Sequence, residues 1–177
     1  MRYLALFRGI NVGGKNIVKM NELRELFTEL GFVNVCSYIQ SGNLLFTSDK
    51  ELNELSKLVT DAFVKKFGFS VPIIYRTKSE MLSMVQSLPF TAEELAEVES
   101  SDSQIAHLYV YFSGKEIAEQ ELSYAGERAV VRSKNIYYLT EKSIRLSKLT
   151  SQLNRLSDEL TARNWKTILK LVDLLNE

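Results

Sequence analysis

The chain has 177 residues, with 22 Lys and Arg against 22 Asp and Glu, one His and one Cys; 45% of it is apolar and 25% charged. This is an ordinary globular composition, long enough to bury a core without disulfides or a metal. Cys36 alone permits no internal disulfide, one His with one Cys cannot build a structural zinc site, and no apolar run approaches the roughly 18 residues of a membrane span. The apolar residues 3–7 are too few for a signal-peptide core and are followed by Arg8, so a cytoplasmic location is expected.

In chain order, residues 3–8 (YLALFR) form a near-continuous apolar run and predict a central first strand. The loop GINVGGKN follows. Asn21 is expected to cap a helix in which Leu23, Leu26, Phe27 and Leu30 share one face, with Gly31 ending it. Residues 33–39 and 43–47 read as strands joined by the turn signal Gln40-Ser41-Gly42. Ser48 with Glu51 predicts a capping box and a helix carrying Leu55, Val59 and Phe63 inward. Residues 71–76 predict a further strand, and Thr77 with Glu80 a short helix ending near Pro89. The order is β-α-β-β-α-β, the ferredoxin-like plan.

The second half opens in the same way. Residues 105–112 predict a strand and Ser113 with Glu116 a capped helix, followed by strands at 127–132 and 136–140 around a Ser-Lys-Asn turn. Leu146, Leu149, Leu153, Leu156 and Leu160 then recur at helical spacing. A last helix is expected, capped by Thr161 and turning Trp165, Ile168, Leu169, Val172 and Leu175 inward. The reading is an α+β fold of two ferredoxin-like halves in degenerate tandem repeat, the second half ending in two helices. The halves are 1–90 and 105–177, joined by an acidic connector, 91–104, in which Thr91 and Glu94 form another capping box.

The net charge of zero excludes whole-molecule steering towards nucleic acid or anionic lipid. It is unevenly composed. Residues 1–20 hold Arg2, Arg8, Lys15 and Lys19 and no acid, residues 91–127 hold nine acids and only Lys115, and residues 128–177 turn basic again.

Gly9 to Lys15 satisfies G-x-x-x-x-G-K of a phosphate-binding P-loop, but Asn16 stands where that motif needs Ser or Thr, and the helix does not begin at the Lys. What remains is a glycine loop able to turn successive N–H groups onto an anion as a nest, with Arg8, Asn11, Gly13, Gly14, Lys15 and Asn16 as candidate residues. Gln40, Ser41 and Asn43 at the hairpin, and Arg163, Asn164 and Thr167 at the start of the last helix, complete the candidate set. His107, on a strand face with Tyr109 and Tyr111, reads as a satisfied structural histidine, Cys36 as a small buried hydrophobe and Trp165 as a core anchor. No G-x-S-x-G, H-E-x-x-H or C-x-x-C occurs, and no cofactor motif is complete, so neither catalytic residues nor a cofactor are assigned.

GINVGGKN, YIQSGN at 38–43 and TARNWKT at 161–167 occur in the order in which the bacterial domain-of-unknown-function family 1697 carries them, and Ser147-Lys148-Leu149 fits its pattern as well. The chain resembles that family. The resemblance implies an α+β fold with a ferredoxin-like repeat and neither an activity nor catalytic residues. A signature of polar and glycine positions in three distant segments points to a site rather than to core packing. The expectation is therefore that loop 8–16, hairpin 40–43 and segment 161–167 converge on one cleft near the interface of the halves and bind a small anionic, phosphate- or nucleotide-like ligand. An RNA-binding module and a protein-interaction module are the alternatives, and membrane association is not expected.

Overall fold

The computed structural model describes residues 1–177. The first strand, β1 (Arg2–Phe7), is central, because β3 (Asn43–Thr47) and β4 (Ile73–Thr77) pair with its two edges, both antiparallel. With β2 (Val33–Tyr38) outside β3, the sheet has the order β2-β3-β1-β4. Helix α1 (Met20–Glu29) connects β1 to β2, and α2 (Leu52–Phe67) connects β3 to β4. Period-two alternation turns Tyr3, Ala5 and Phe7 of β1 and Leu44 and Phe46 of β3 to one face, where Leu23 and Phe27 of α1 and Leu55, Val59 and Phe63 of α2 complete an apolar cluster.

Two helix starts differ from expectation. Asn21 lies inside α1, whose cap is Lys19 without a side-chain bond. Ser48 does not cap α2: its hydroxyl accepts from Lys50 N at 3.1 Å and its own N–H donates to Met1 O, so the chain stays tied to the strand and the helix starts after Glu51. The box of Thr77 and Glu80 is present, with both reciprocal bonds, at the start of α3 (Lys78–Gln86). That of Thr91 and Glu94 opens α4 (Ala92–Ser101) within the acidic connector.

The remaining strands form a second antiparallel sheet. These are β5 (Leu108–Ser113), β6 (Gln120–Tyr124), β7 (Glu127–Arg132), β8 (Asn135–Thr140) and β9 (Leu160–Asn164), in the order β6-β7-β8-β5-β9. Tyr111, Ala129, Val131, Ile136, Tyr138, Leu149, Leu153 and Leu160 cluster on it. The expected β-α-β-β-α-α order is corrected here at three places. No helix follows Ser113, because its hydroxyl accepts from Lys115 N at 3.0 Å and Ile117 N donates to Ser133 O at 3.0 Å, drawing the segment along the sheet. The leucine-spaced segment is not one helix: a 3-10 turn (Ile144–Leu146) and the short α5 (Thr150–Leu153) take part of it, and Leu160 enters β9. Thr161 lies in β9 opposite Phe112, and α6 (Trp165–Asn176) is capped by Asn164, whose Oδ1 accepts from Thr167 N at 2.9 Å. Helix α6 buries Ile168, Leu171, Val172 and Leu175 but exposes Leu169, and Trp165 is only half-buried.

By its contacts the chain forms two units, Met1–Met81 with Leu171–Glu177, and Leu82–Lys170. No helix is long and apolar enough to cross a membrane.

Candidate functional site

Within the first unit, five of the residues 9–16 have left-handed backbone: Gly9, Asn11, Gly13, Gly14 and Asn16. The loop nevertheless has a frame. Asn11 N donates to Asn16 O at 3.1 Å and Lys15 N to Val12 O at 3.1 Å, closing a tight turn around Gly13 and Gly14. The Asn11 side chain is the hub. Its Nδ2 donates to Val18 O at 2.9 Å and to Gln40 O at 3.0 Å, and its Oδ1 accepts from Val18 N at 2.8 Å. Asn16 Nδ2 donates back to Gly9 O at 3.1 Å. Loop 8–16 and hairpin 40–43 are thus brought together, as the sequence proposes, and Asn11 positions the loop rather than facing out of it.

Gly42 fixes the hairpin end. Its φ is +85°, and a Cβ there would lie 2.7 Å from Phe7 Cβ and 2.9 Å from Ile10 Cδ1. Its carbonyl accepts from Phe7 N at 2.9 Å. Asn43 is fully buried and its Nδ2 donates to Tyr38 O and Ser41 Oγ, both at 3.0 Å, so it stitches the hairpin internally. Gly13 and Gly14 differ from Gly42 in having nothing within 4 Å of a built Cβ. They face solvent, and their N–H groups have no protein partner. Lys15, Asn16, Gln40 and Arg8 are exposed as well, and Lys15 and Lys19 make no ion pair. A P-loop is absent in geometry as in sequence, since α1 begins at Met20 rather than at Lys15.

Arg163, Asn164 and Thr167 belong to the second unit. Arg163 is 8% exposed, its Nη1 donates to Thr161 Oγ1 and Ala162 O at 2.8 Å, and burial pushes its guanidinium down to about 10. Asn164 is engaged as the cap of α6, and Thr167 is buried. His107 is buried with Nδ1 2.8 Å from Thr140 O and Nε2 2.7 Å from Asp102 O, a structural clasp. Cys36 is half-buried, with an Arg2 nitrogen 3.8 Å from its sulfur.

The residue that sequence reasoning missed is Glu127. It is buried, and its carboxylate accepts from Tyr138 Oη at 2.6 Å, Lys148 N at 2.9 Å, Leu149 N at 3.3 Å and Ser147 Oγ. Burial pushes the carboxyl up, but the bonds from Ser147, Tyr138, Lys148 and Leu149 outweigh it and hold the group below its ordinary value. This carboxylate interrupts the leucine-spaced helix. The signal was available: alternation in β7 puts Glu127 on the same inward face as Ala129 and Val131. Glu127 also lines two cavities of the second unit. One of about 470 Å³ includes Glu94, Glu97, Arg128 and Glu141; one of about 200 Å³ includes Tyr124, Lys142 and Lys148. Arg128 is not available to a ligand there, being paired with Glu94 and lying 5.2 Å from the Phe90 ring centroid. Neither cavity contains a residue of the glycine loop.

The sheets and loop geometry define an α+β protein with a framed glycine loop. The chain belongs to the family described as "Protein of unknown function (DUF1697)", whose model matches residues 1–142. No curated protein matches it. Among solved structures, the conserved bacterial protein SP0830 from Streptococcus pneumoniae is 26% identical, with a TM-score of 0.74 over 98% of each chain.

Proposed function

We propose that the chain binds a small anion, phosphate or a phosphate monoester, on the loop of residues 9–16 as framed by hairpin 40–43. The observation that carries this is the pair Gly13-Gly14: two successive left-handed residues, open to solvent, with unpartnered N–H groups in a loop that Asn11 holds in place. Successive exposed N–H groups in a turn can serve as an anion-binding concavity. Lys15 and Lys19 supply unpaired positive charge, and the first acid of the chain is Glu22. A preformed frame lowers the ordering entropy lost on binding.

RNA is the less favoured ligand. The hairpin strand segment Asn43, Leu44, Leu45 and Phe46 is wholly buried, so it offers no aromatic ring for base stacking. The same reading takes the first unit as a ferredoxin-like plan, supported by its β2-β3-β1-β4 order with a helix after β1 and another after β3. A repeat of that plan in the second unit lacks such support, since no helix separates β5 from β6.

Thermal shift against inorganic phosphate, sugar phosphates and nucleotides tests the function. Ligand at 100 times its dissociation constant should stabilise the fold by about 2.7 kcal/mol. Lys15→Ala should reduce that stabilisation, and the double variant Gly13→Ala/Gly14→Ala should abolish it, while both remain folded. Absence of any shift across the panel would overturn the reading.

A further inference from the structure

The glycine loop carries more than donors. Val12 and Ile17 are 63% and 62% exposed, and Ile39 on the adjoining hairpin is 50% exposed. These three belong to one tip, because each is the chain neighbour of a residue tied through the Asn11 side chain: Asn11 itself, Val18 and Gln40. Single exposed aliphatic residues need no explanation, but three gathered on a pinned tip do. Ile39 adds an independent observation. Its φ is +51°, a conformation that a β-branched residue adopts only at a cost, where Asn or Gly would sit without strain. The fold thus places a strained, apolar side chain where burying it gains nothing within the molecule. Residues 1–21 and 30–48, which include all three, contain no Asp or Glu, while Arg8, Lys15 and Lys19 are exposed.

From this we infer that the ligand is an amphiphilic anion, whose phosphate head sits on the Gly13-Gly14 amides with Lys15 and Lys19 while an aliphatic chain lies over Val12, Ile17 and Ile39. The inference rests on the anion-binding reading above and adds the ligand's second half. Nucleic acid does not fit the apolar part, because the three side chains are aliphatic and offer no stacking surface. A soluble alkyl phosphate and the headgroup of an anionic lipid share the required chemistry.

Calorimetric titration with inorganic phosphate and with ethyl, butyl and hexyl phosphate separates the two halves of the claim. Affinity should climb with chain length, by up to about fourfold per methylene that reaches the tip. Ile39→Asn and Ile17→Ser should leave the affinity for inorganic phosphate unchanged and flatten the climb, and Ile39→Asn should also raise Tm. Phosphate binding with no dependence on chain length would overturn the amphiphile and leave the anion site standing; failure of every phosphate to bind would overturn both. Co-sedimentation with phosphatidylcholine vesicles, with and without phosphatidic acid, distinguishes the source. Co-sedimentation only with the acidic vesicles, lost in Ile39→Asn, assigns a lipid headgroup, and chain-dependent binding without it assigns a soluble ligand; either upholds the amphiphile.

Discussion

Four donors from β8 and from residues 147–149 end on the Glu127 carboxylate, tying that segment to the second sheet. Glu127→Ala leaves those donors without their acceptor, and buried unsatisfied groups cost about 1–3 kcal/mol each where water cannot reach them. A loss of about 3 kcal/mol or more by urea denaturation is expected, with Glu127→Gln intermediate because one acceptor oxygen remains. The pH dependence has a definite sign. A carboxyl held below its ordinary value in the folded state stabilises the fold fully above the unfolded value, near ~4.3, and loses that contribution as pH falls through the lowered folded value. The stability gap between wild type and Glu127→Gln should therefore be constant at neutral pH and shrink on acidification below about pH 5. Gly42 offers a second test at the same scale. Gly42→Ala combines a left-handed φ with a close approach to Phe7 Cβ, whereas Gly68→Ala has φ +81° and an open surround. Gly68→Ala should cost about 1–2 kcal/mol from backbone strain alone. Gly42→Ala should cost more by about 1–3 kcal/mol of overpacking, and the difference read from paired denaturation curves isolates the steric part.

At the scale of elements, the four capping-box patterns show what the local sequence can and cannot specify. Thr77-Glu80 and Thr91-Glu94 form reciprocal bonds. Ser48-Glu51 and Ser113-Glu116 have the same spacing and do not, because each serine hydroxyl accepts the N–H two residues on and holds a turn instead. Spacing names the residues able to cap; neighbouring strands decide whether they do. The leucine-spaced segment fails for a related reason, as the Glu127 carboxylate takes the N–H groups of Lys148 and Leu149 where a continuous helix would need them inside. Thr91→Ala should cost about 1 kcal/mol, the usual value of an N-cap. Ser48→Ala should leave the α2 cap untouched, and a circular-dichroism comparison of the two variants checks the contrast.

For the whole molecule, the first unit was legible because its information is local. Each of its strands and helices carries its own periodicity, and glycines at 31, 42 and 68 mark ends that the structure keeps. The second unit was less so, because β6 has only a weak strand pattern and β9 emerges from a leucine repeat that reads as helix. The candidate site divides in the same way: the glycine loop and the hairpin announce themselves by composition, whereas the hub role of Asn11 depends on partners as far away as Gln40.

The neutral net charge gives a last means of choosing between ligands. A protein that reads RNA through its backbone releases counterions in proportion to the phosphates it neutralises, and its affinity falls with a log–log slope of about −0.7 per contact on single strands. Residues 8–19 carry three cations, Arg8, Lys15 and Lys19, so the loop itself can neutralise few phosphates. Phosphate-monoester affinity should thus fall with a slope no steeper than about −2 as salt is raised, most of the binding being made by backbone amides that salt screens little. Lys15→Ala should make the slope shallower without abolishing the chain-length dependence. A slope several times steeper, seen with single-stranded RNA and absent with alkyl phosphates, would instead make the loop an edge of a nucleic-acid surface.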